Sequence, residues 1–381
     1  MHTQNHYDTA IAGGGLAGLA AAIRLAELGY RVVLFEKENY PFHKVCGEYI
    51  SLESWPFLES LGLPLKEMNL PLIDTLLLTA PNGKSFRAQL PLGGFGLSRY
   101  RLDEQLAGIA AEKGVEVVTG AKVDDIGFDE GFRLSVSSIE GKKEITATTC
   151  LIAHGKRGLL DLKLNREFLD HQDKRLDNHV AVKYHIKTRW PDNVIGLHNF
   201  SDGYCGISRI EEDRYCLCYL TRAANLRKGG SIAGMEKNIL HKNPRLREIF
   251  ERSEVCSTFP ITISQVGFGK KTQVENHALM LGDAAGMITP LCGNGMSIAL
   301  HTGKLAADLS AGFLSGKMSR VQMETKYAQS WKHHFHKRLR TGRVLQRFFG
   351  SPLLSNVFVQ GFSTLPFLAK PVIRMTHGEA F

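Results

Sequence analysis

Short apolar runs alternate with helical stripes along the first forty residues. Tyr7–Ala12 reads as a buried strand, Leu16–Leu28 as an alanine-rich helix closed by Gly29, and Arg31–Phe35 as a second strand. A helix over Leu52–Leu61 ends at Gly62, and strands at Leu72–Thr79 and Ser85–Leu90 flank the turn Pro81, Asn82, Gly83, a hairpin that leaves the first domain. Apolar positions at Leu102, Leu106, Ile109 and Ala110 predict a helix to Lys113 capped by Gly114, which feeds a strand at Val115–Val118. Alternation over Ala121–Phe128, Phe132–Ser138 and Glu144–Ala153 predicts an antiparallel meander that ends at His154. Strands at Val180–Ile186, Gly203–Ile210 and Tyr215–Thr221 predict a second, β-rich domain. Ala278–Leu281 returns to a buried strand, Gly295–Leu314 reads as a long helix, and the chain beyond Lys317 as helical or irregular.

Length then organises these elements. The 381 residues exceed the roughly 250 to 300 at which single cores stop growing, so two intertwined domains are expected. One is built from 1–71, 99–157 and 271–316, the other from 72–98 and 158–270, and a helical extension follows at 317–381. With 43% hydrophobic and 22% charged residues, intrinsic disorder is excluded. The net charge of +9 suits an anionic partner, but no nucleic-acid reader motif accompanies it, so nucleic acid is set aside. The N-terminus has no signal-peptide pattern, which makes cytoplasmic the default compartment. Seven scattered cysteines without a CxxC pair read as reduced thiols. The uncharged run Phe348–Ala369 is broken by Gly350, Pro352, Gly361 and Pro366, against a membrane-spanning helix.

Two segments carry chemistry. Gly13, Gly15 and Gly18 form GxGxxG between a strand and a helix, with Leu16 and Ala17 inside the motif: the glycines permit the tight turn, the approach of a pyrophosphate and close helix packing. Glu36, followed by Lys37, ends the next strand where a carboxylate can accept both ribose hydroxyls, favouring FAD or NAD over NADP. Far downstream, Gly282 and Asp283 end a strand at GDAAGMITPLCGNG, where an aspartate can hold a ribityl hydroxyl. Gly293, Gly295 and Met296 start a helix whose free N–H groups can stabilise negative charge on a reduced flavin.

With these segments the chain resembles the FAD-dependent family that includes p-hydroxybenzoate hydroxylase, geranylgeranyl reductases and flavin-dependent halogenases. KVCGEYIS (44–51), SRYRLDEQL (98–106) and DAAGMITPLCGNG (283–295) resemble the geranylgeranyl reductase branch most. The resemblance implies an α/β fold: a Rossmann-like FAD domain interrupted by a mainly antiparallel β-sheet substrate domain, with C-terminal helices. It implies that Lys44 and Gly47 lie along the flavin pyrophosphate and ring, that Arg99 contacts the cofactor near its phosphates, and that Val123 meets the adenine through its backbone. Cys46 would sit near the isoalloxazine, at the reacting face.

Departures from the family pattern narrow the function. His154 replaces the aspartate of the hydroxylases' Asp-Gly motif, the halogenase WxWxIP motif is missing, and the reductase YxWxFP element reads GYCGISRI here. The favoured reading is a reductase that delivers hydride from reduced FAD to a C=C bond of a hydrophobic, isoprenoid- or polyene-like substrate, with NAD(P)H or a reduced carrier protein as electron donor. Cys46, Tyr49, Tyr204 or a held water are candidates for the proton source. The alternative is an aromatic monooxygenase acting through a flavin C4a-hydroperoxide; a halogenase or a non-catalytic flavoprotein ranks lower. The basic stretch Trp331–Arg347 reads first as a solvated helix packed on its own domain, and second as peripheral contact with an anionic membrane. His333, His334 and His336 lack the ligand pattern of a metal site. Cys216 and Cys218 share one strand face, as packing or as cavity lining.

Overall fold

Apolar runs punctuated by glycine build the N-terminal unit. In the computed structural model, which describes residues 6–156, 158–169, 179–257, 260–289, 291, 293–365, 367, 369–375 and 378–381, β1 (His6–Ala12) turns at Gly13 into α1 (Leu16–Glu27). Gly29, at φ +85°, then releases the chain into β2 (Val32–Phe35). There follow β3 (Tyr49–Ser51), α2 (Trp55–Ser60), β4 (Leu72–Thr79), β5 (Ser85–Gly96), α3 (Arg99–Glu112), β6 (Glu116–Val118), β7 (Lys122–Asp129), β8 (Gly131–Ser138), β9 (Gly141–Ile152) and α4 (Leu159–Lys163). The central part holds β10 (His179–Lys187), β11 (Val194–Phe200), β12 (Gly203–Arg209), β13 (Tyr215–Arg222), α5 (Ala223–Gly229), α6 (Ile232–Asn238), α7 (Pro244–Arg252), β14 (Glu254–Val255), β15 (Ile261–Val266), β16 (Val274–Glu275) and β17 (Ala278–Met280). Four helices close the chain: α8 (Gly295–Leu314), α9 (Arg320–Phe348), α10 (Pro352–Thr364) and α11 (Ala369–Arg374). Pro290, Cys292 and Arg157, which belong to the motifs read above, lie outside the described residues.

Two sheets organise these elements into a mixed α/β fold with C-terminal helices. The first runs β16-β17-β9-β1-β2-β6, parallel from β17 to β6, with β8 and β7 added antiparallel beside β9. Helices α1 and α8 pack on it; Ala and Gly at their contact allow an approach so close that a Cβ on Gly303 would overlap the carbonyl oxygen of Ala17. The second sheet runs β14-β10-β13-β12-β11-β4-β5-β3, with β15 on β10, and is antiparallel except where β11 meets β4. One core fills the first sheet and its helices; smaller clusters lie on the faces of the second.

The structure shortens the predicted 52–61 helix to a 3₁₀ turn at Leu52–Ser54 followed by α2, and extends the predicted 85–90 strand through Pro91 to Gly96. β11 escapes the pattern because two of its buried positions are polar. His198 Nδ1 lies 2.9 Å from Thr79 Oγ1, and Asn199 Nδ2 donates to the Thr79 carbonyl at 3.0 Å, so the strand satisfies its polar groups inside the sheet. Basic α9 buries Trp331, Phe335 and Leu339, four residues apart, in the main core and turns its charges outward. No helix among the described residues is long and apolar enough to cross a membrane.

Candidate active site

Gly13 takes φ +113°, and a Cβ there would overlap the backbone of Ala153, so only glycine fits the turn from β1 into α1. A Cβ on Gly18 would overlap the Gly13 carbonyl oxygen. Gly15 differs: it opens the N-terminus of α1, and a Cβ there would meet only Lys44 Nζ at 3.7 Å and Arg99 Nη2 at 3.9 Å. Two cations therefore face a helix end that is itself partly positive. Leu16 and Ala17 are buried in the first turn of α1.

Asp103, which sequence reasoning missed, holds both cations. Fully buried on α3, its carboxylate lies 3.1 Å from Lys44 Nζ and accepts 2.7 Å hydrogen bonds from Arg99 Nε and Nη2. Burial pulls the Lys44 ammonium below its ordinary range, with Arg99 adding to that and Asp103 opposing it. Burial acts on Arg99 in the same sense, but Asp103 outweighs it and raises that pKa. The signal was its i+4 spacing from Arg99 within SRYRLDEQL.

Glu36 ends β2 and is buried; its carboxylate accepts from Gly14 N–H at 2.9 Å and Glu38 N–H at 3.1 Å. These bonds fix the group and leave lone pairs for a diol. The Glu36 carbonyl accepts from Ala121 N–H at 3.0 Å, which brings the start of β7, with buried Val123, to the same strand end. Lys37 points to solvent and pairs with Glu38 at 3.4 Å.

The second group packs against the first. Gly282 lies in van der Waals reach of Ala17, and its N–H donates to Thr302 Oγ1 of α8 at 2.9 Å. Burial raises the Asp283 pKa against the opposing charges of Lys271, Arg99 and Lys156. Gly293 takes φ +67° beneath the Tyr49 ring, while Gly295 and buried Met296 start α8. Through Gly282, Ala17 and Ala299 the glycine turn and the first turns of α8 are packed together.

Next to Lys44 and Arg99 lies a buried charged cluster that the sequence did not announce. Glu48, a non-glycine residue at φ +55°, bonds the Lys183 ammonium, lies 2.6 Å from His185 Nε2 and accepts from Arg99 N–H at 2.8 Å. Lys183 also donates to the Lys44 carbonyl at 3.1 Å, so β10 clamps the 44–48 segment. Burial pushes the Glu48 carboxyl up, but Lys183 and His185 overcome it and hold its pKa at about 2. Cys46 keeps a protonated thiol because burial raises its pKa, and its carbonyl accepts from Cys216 Sγ at 3.2 Å. Ser208 Oγ donates to the Gly47 carbonyl at 3.2 Å. Glu48, His185 and Cys216 could group around a metal. Lys183 already neutralises that carboxylate and burial keeps the Cys216 thiol protonated, so the donor set does not suit one.

His154 lies 3.3 Å from Asp161 Oδ1, which Arg166 Nη1 also bonds at 2.8 Å; this buried network joins β9 to the turn after β17 through Arg166 and the Ala284 carbonyl. Tyr204 lies on β12, packed with Met287, Leu291 and the Phe349 ring. Tyr49 faces an apolar cavity between β4, β5 and β11 on one side and the end of α9, α10 and α11 on the other. Gly293 and Leu291 also line it. The buried Tyr49 hydroxyl has no hydrogen-bond partner, and burial pushes its pKa up.

Residues 7–155 match the family of pyridine nucleotide-disulphide oxidoreductases. A digeranylgeranylglycerophospholipid reductase of Methanococcus vannielii is 26% identical over 354 residues, covering 88% of this chain and 84% of the relative. Conditioned medium factor receptor 1 of Dictyostelium discoideum is 25% identical over 380 residues, covering 90% and 71%. Among solved structures, a geranylgeranyl bacteriochlorophyll reductase-like protein from Thermoplasma acidophilum superposes with a TM-score of 0.78 at 17% identity, over 93% of this chain and 91% of that one. A flavin-dependent brominase gives 0.79 at 20% identity, over 99% and 94%. At these identities the structures speak for the fold alone.

Proposed function

We propose that the chain is an FAD-dependent oxidoreductase that reduces a C=C bond of a long hydrophobic substrate, a reading that the family match over residues 7–155 supports. The observation that carries this reading is the apolar cavity that Gly293 helps to line, with the unpartnered hydroxyl of Tyr49 on its wall. The name of the Methanococcus relative, a reductase of a polyprenyl lipid, supports the same substrate class.

Residue roles follow from position. Gly13, Gly15 and Gly18, with Leu16 and Ala17, receive the pyrophosphate at the α1 N-terminus; Lys44 and Arg99 neutralise it, and Asp103 positions both. Glu36 would take the ribose, Val123 would meet the adenine, and Gly282, Asp283, Gly293, Gly295 and Met296 would hold the ribityl chain and ring, together with Cys46 and Gly47. Once reduced by NAD(P)H or a reduced carrier protein, bound FAD would supply the hydride. One alkene carbon gains that hydride and the other a proton, which Tyr49 is placed to give; its raised pKa keeps the proton on until the substrate draws it. Water is excluded by the apolar wall.

The test is anaerobic. Photoreduced holoprotein mixed with a polyprenyl lipid should return to oxidised flavin while the lipid gains two hydrogens, and Tyr49→Phe should slow this by about 10²-fold with FAD content unchanged. A lipid that gains oxygen instead, or no reaction with any unsaturated lipid, overturns the proposal.

A further inference from the structure

Helix α10 carries no charged residue and is apolar on two opposite sides. Phe358, Phe362 and Val359 face inward, over the cavity, while Leu353 and Val357, one turn apart, are 78% and 71% exposed. The next segment continues the pattern, with Phe367 66% exposed and Leu365 and Met375 also outside. Large apolar side chains exposed on a second side of a helix mark a surface that binds something, yet this helix has protein on one side only.

Charge says what covers the other side. From Thr325 to Gly378 the chain carries nine Lys or Arg and no Asp or Glu. The whole chain has 47 basic and 38 acidic residues, so the remainder holds 38 of each and the entire net charge of +9 lies in this stretch. Lys332, Lys337 and Arg340 are exposed on α9 leading to α10, and Arg374 is exposed at the end of α11, so basic groups flank the apolar surface in sequence on both sides. A protein interface of ordinary composition needs no such one-signed charge, whereas an anionic bilayer attracts it and accepts the apolar side chains beneath the headgroups.

We infer that the outer face of α10, together with the exposed side chains of Leu365, Phe367 and Met375, docks on an anionic lipid surface. The inference goes beyond the proposed reaction and is read without turnover. Holoprotein is sedimented with vesicles of phosphatidylglycerol and phosphatidylcholine, and with phosphatidylcholine alone, at low and high salt. Binding to the anionic vesicles that falls with salt is expected. The double variant Leu353→Ser, Val357→Ser should lower partition by about tenfold or more, since two apolar side chains no longer enter the bilayer. Ile139→Ser, at an exposed apolar residue in the β8–β9 turn, should leave it unchanged. FAD absorbance and melting temperature verify that each variant is folded. Absent binding at low salt, equal binding to the neutral vesicles, or indifference to the double variant overturns the inference. So does self-association in ultracentrifugation that the double variant abolishes without any vesicle binding, because the face would then be a protein interface.

Discussion

The glycine turn and the apolar cavity are built by different physics. At the glycine turn, which the proposal gives to the pyrophosphate, backbone N–H groups and two cations come together, and the fold makes room by omitting side chains. At the cavity the wall is side-chain carbon contributed by β4, β5, β11, α9, α10 and α11. A backbone-built site leaves a mark at fixed spacing because only glycine tolerates the geometry. A carbon-built wall leaves no such mark, since each apolar residue also satisfies ordinary core packing.

The Glu48 cluster, next to the two cations of the glycine turn, gives the largest test of the contrast. It buries two formal charges, and Lys183 has no other acidic partner in its bonds. Glu48→Gln therefore leaves an uncompensated ammonium in the interior and should cost about 3–5 kcal/mol in chemical denaturation. The pair Glu48→Gln, Lys183→Met removes both charges and should recover most of that loss. A single variant within about 1 kcal/mol of the wild type would mean that solvent reaches the cluster, and the clamp between β10 and the 44–48 segment would lose its basis.

Legibility followed the same division. The strand, turn, helix, strand opening, the β4–β5 hairpin and the α8 boundaries were readable because local periodicity and glycine stops agreed there with the tertiary outcome. Gly13, Gly15, Gly18, Lys44 and Arg99 were named from motif, and the structure brings them together. Glu48, Lys183 and His185 were not named: they are 135 and 137 residues apart in sequence, pair only through folding, and look singly like surface residues. Asp103 and Asp161 were missed for a related reason, because a buried carboxylate is recognisable only from the cations around it. β11 was missed because polar His198 and Asn199 are buried at positions where an apolar pattern was sought.

At the glycine turn, structure divides residues that the motif treats alike. Gly18→Ala drives a Cβ into the Gly13 carbonyl and should destabilise the apoprotein by about 1–3 kcal/mol or more. Gly15→Ala meets only two flexible side-chain ends, so the apoprotein should stay within about 0.5 kcal/mol of the wild type, while FAD binding should weaken if, as proposed, the pyrophosphate approaches this position. Melting curves of both apoproteins and FAD titrations separate the cases. Equal loss of stability would show that Gly15 is also a packing glycine.

The smallest effect compares the two sheets through one buried histidine on each side: His198 on β11 and His301 on α8. Burial lowers both pKa values to about 3, with Arg245 adding to the effect at His198, and His334, Arg338 and Lys304 at His301. Both are neutral when folded and take a proton only on unfolding, so their contribution is complete above about pH 6.5 and is lost as pH falls towards 3. Each should remove roughly 1.4 kcal/mol per pH unit below about 6, whereas Glu48, held near 2, begins to weaken the fold only below about 4.5. Denaturation measured between pH 7 and 5 therefore isolates the histidines. His301 packs flat on Phe381 at 4.1 Å and has no partner for its buried Nδ1, while His198 Nδ1 lies 2.9 Å from Thr79 Oγ1. His301→Phe should accordingly flatten part of the pH slope at little cost at pH 7, and His198→Phe should flatten it only after losing the bond that joins β11 to β4. If both variants keep the full slope, the acid sensitivity of the fold resides in neither sheet's buried histidine.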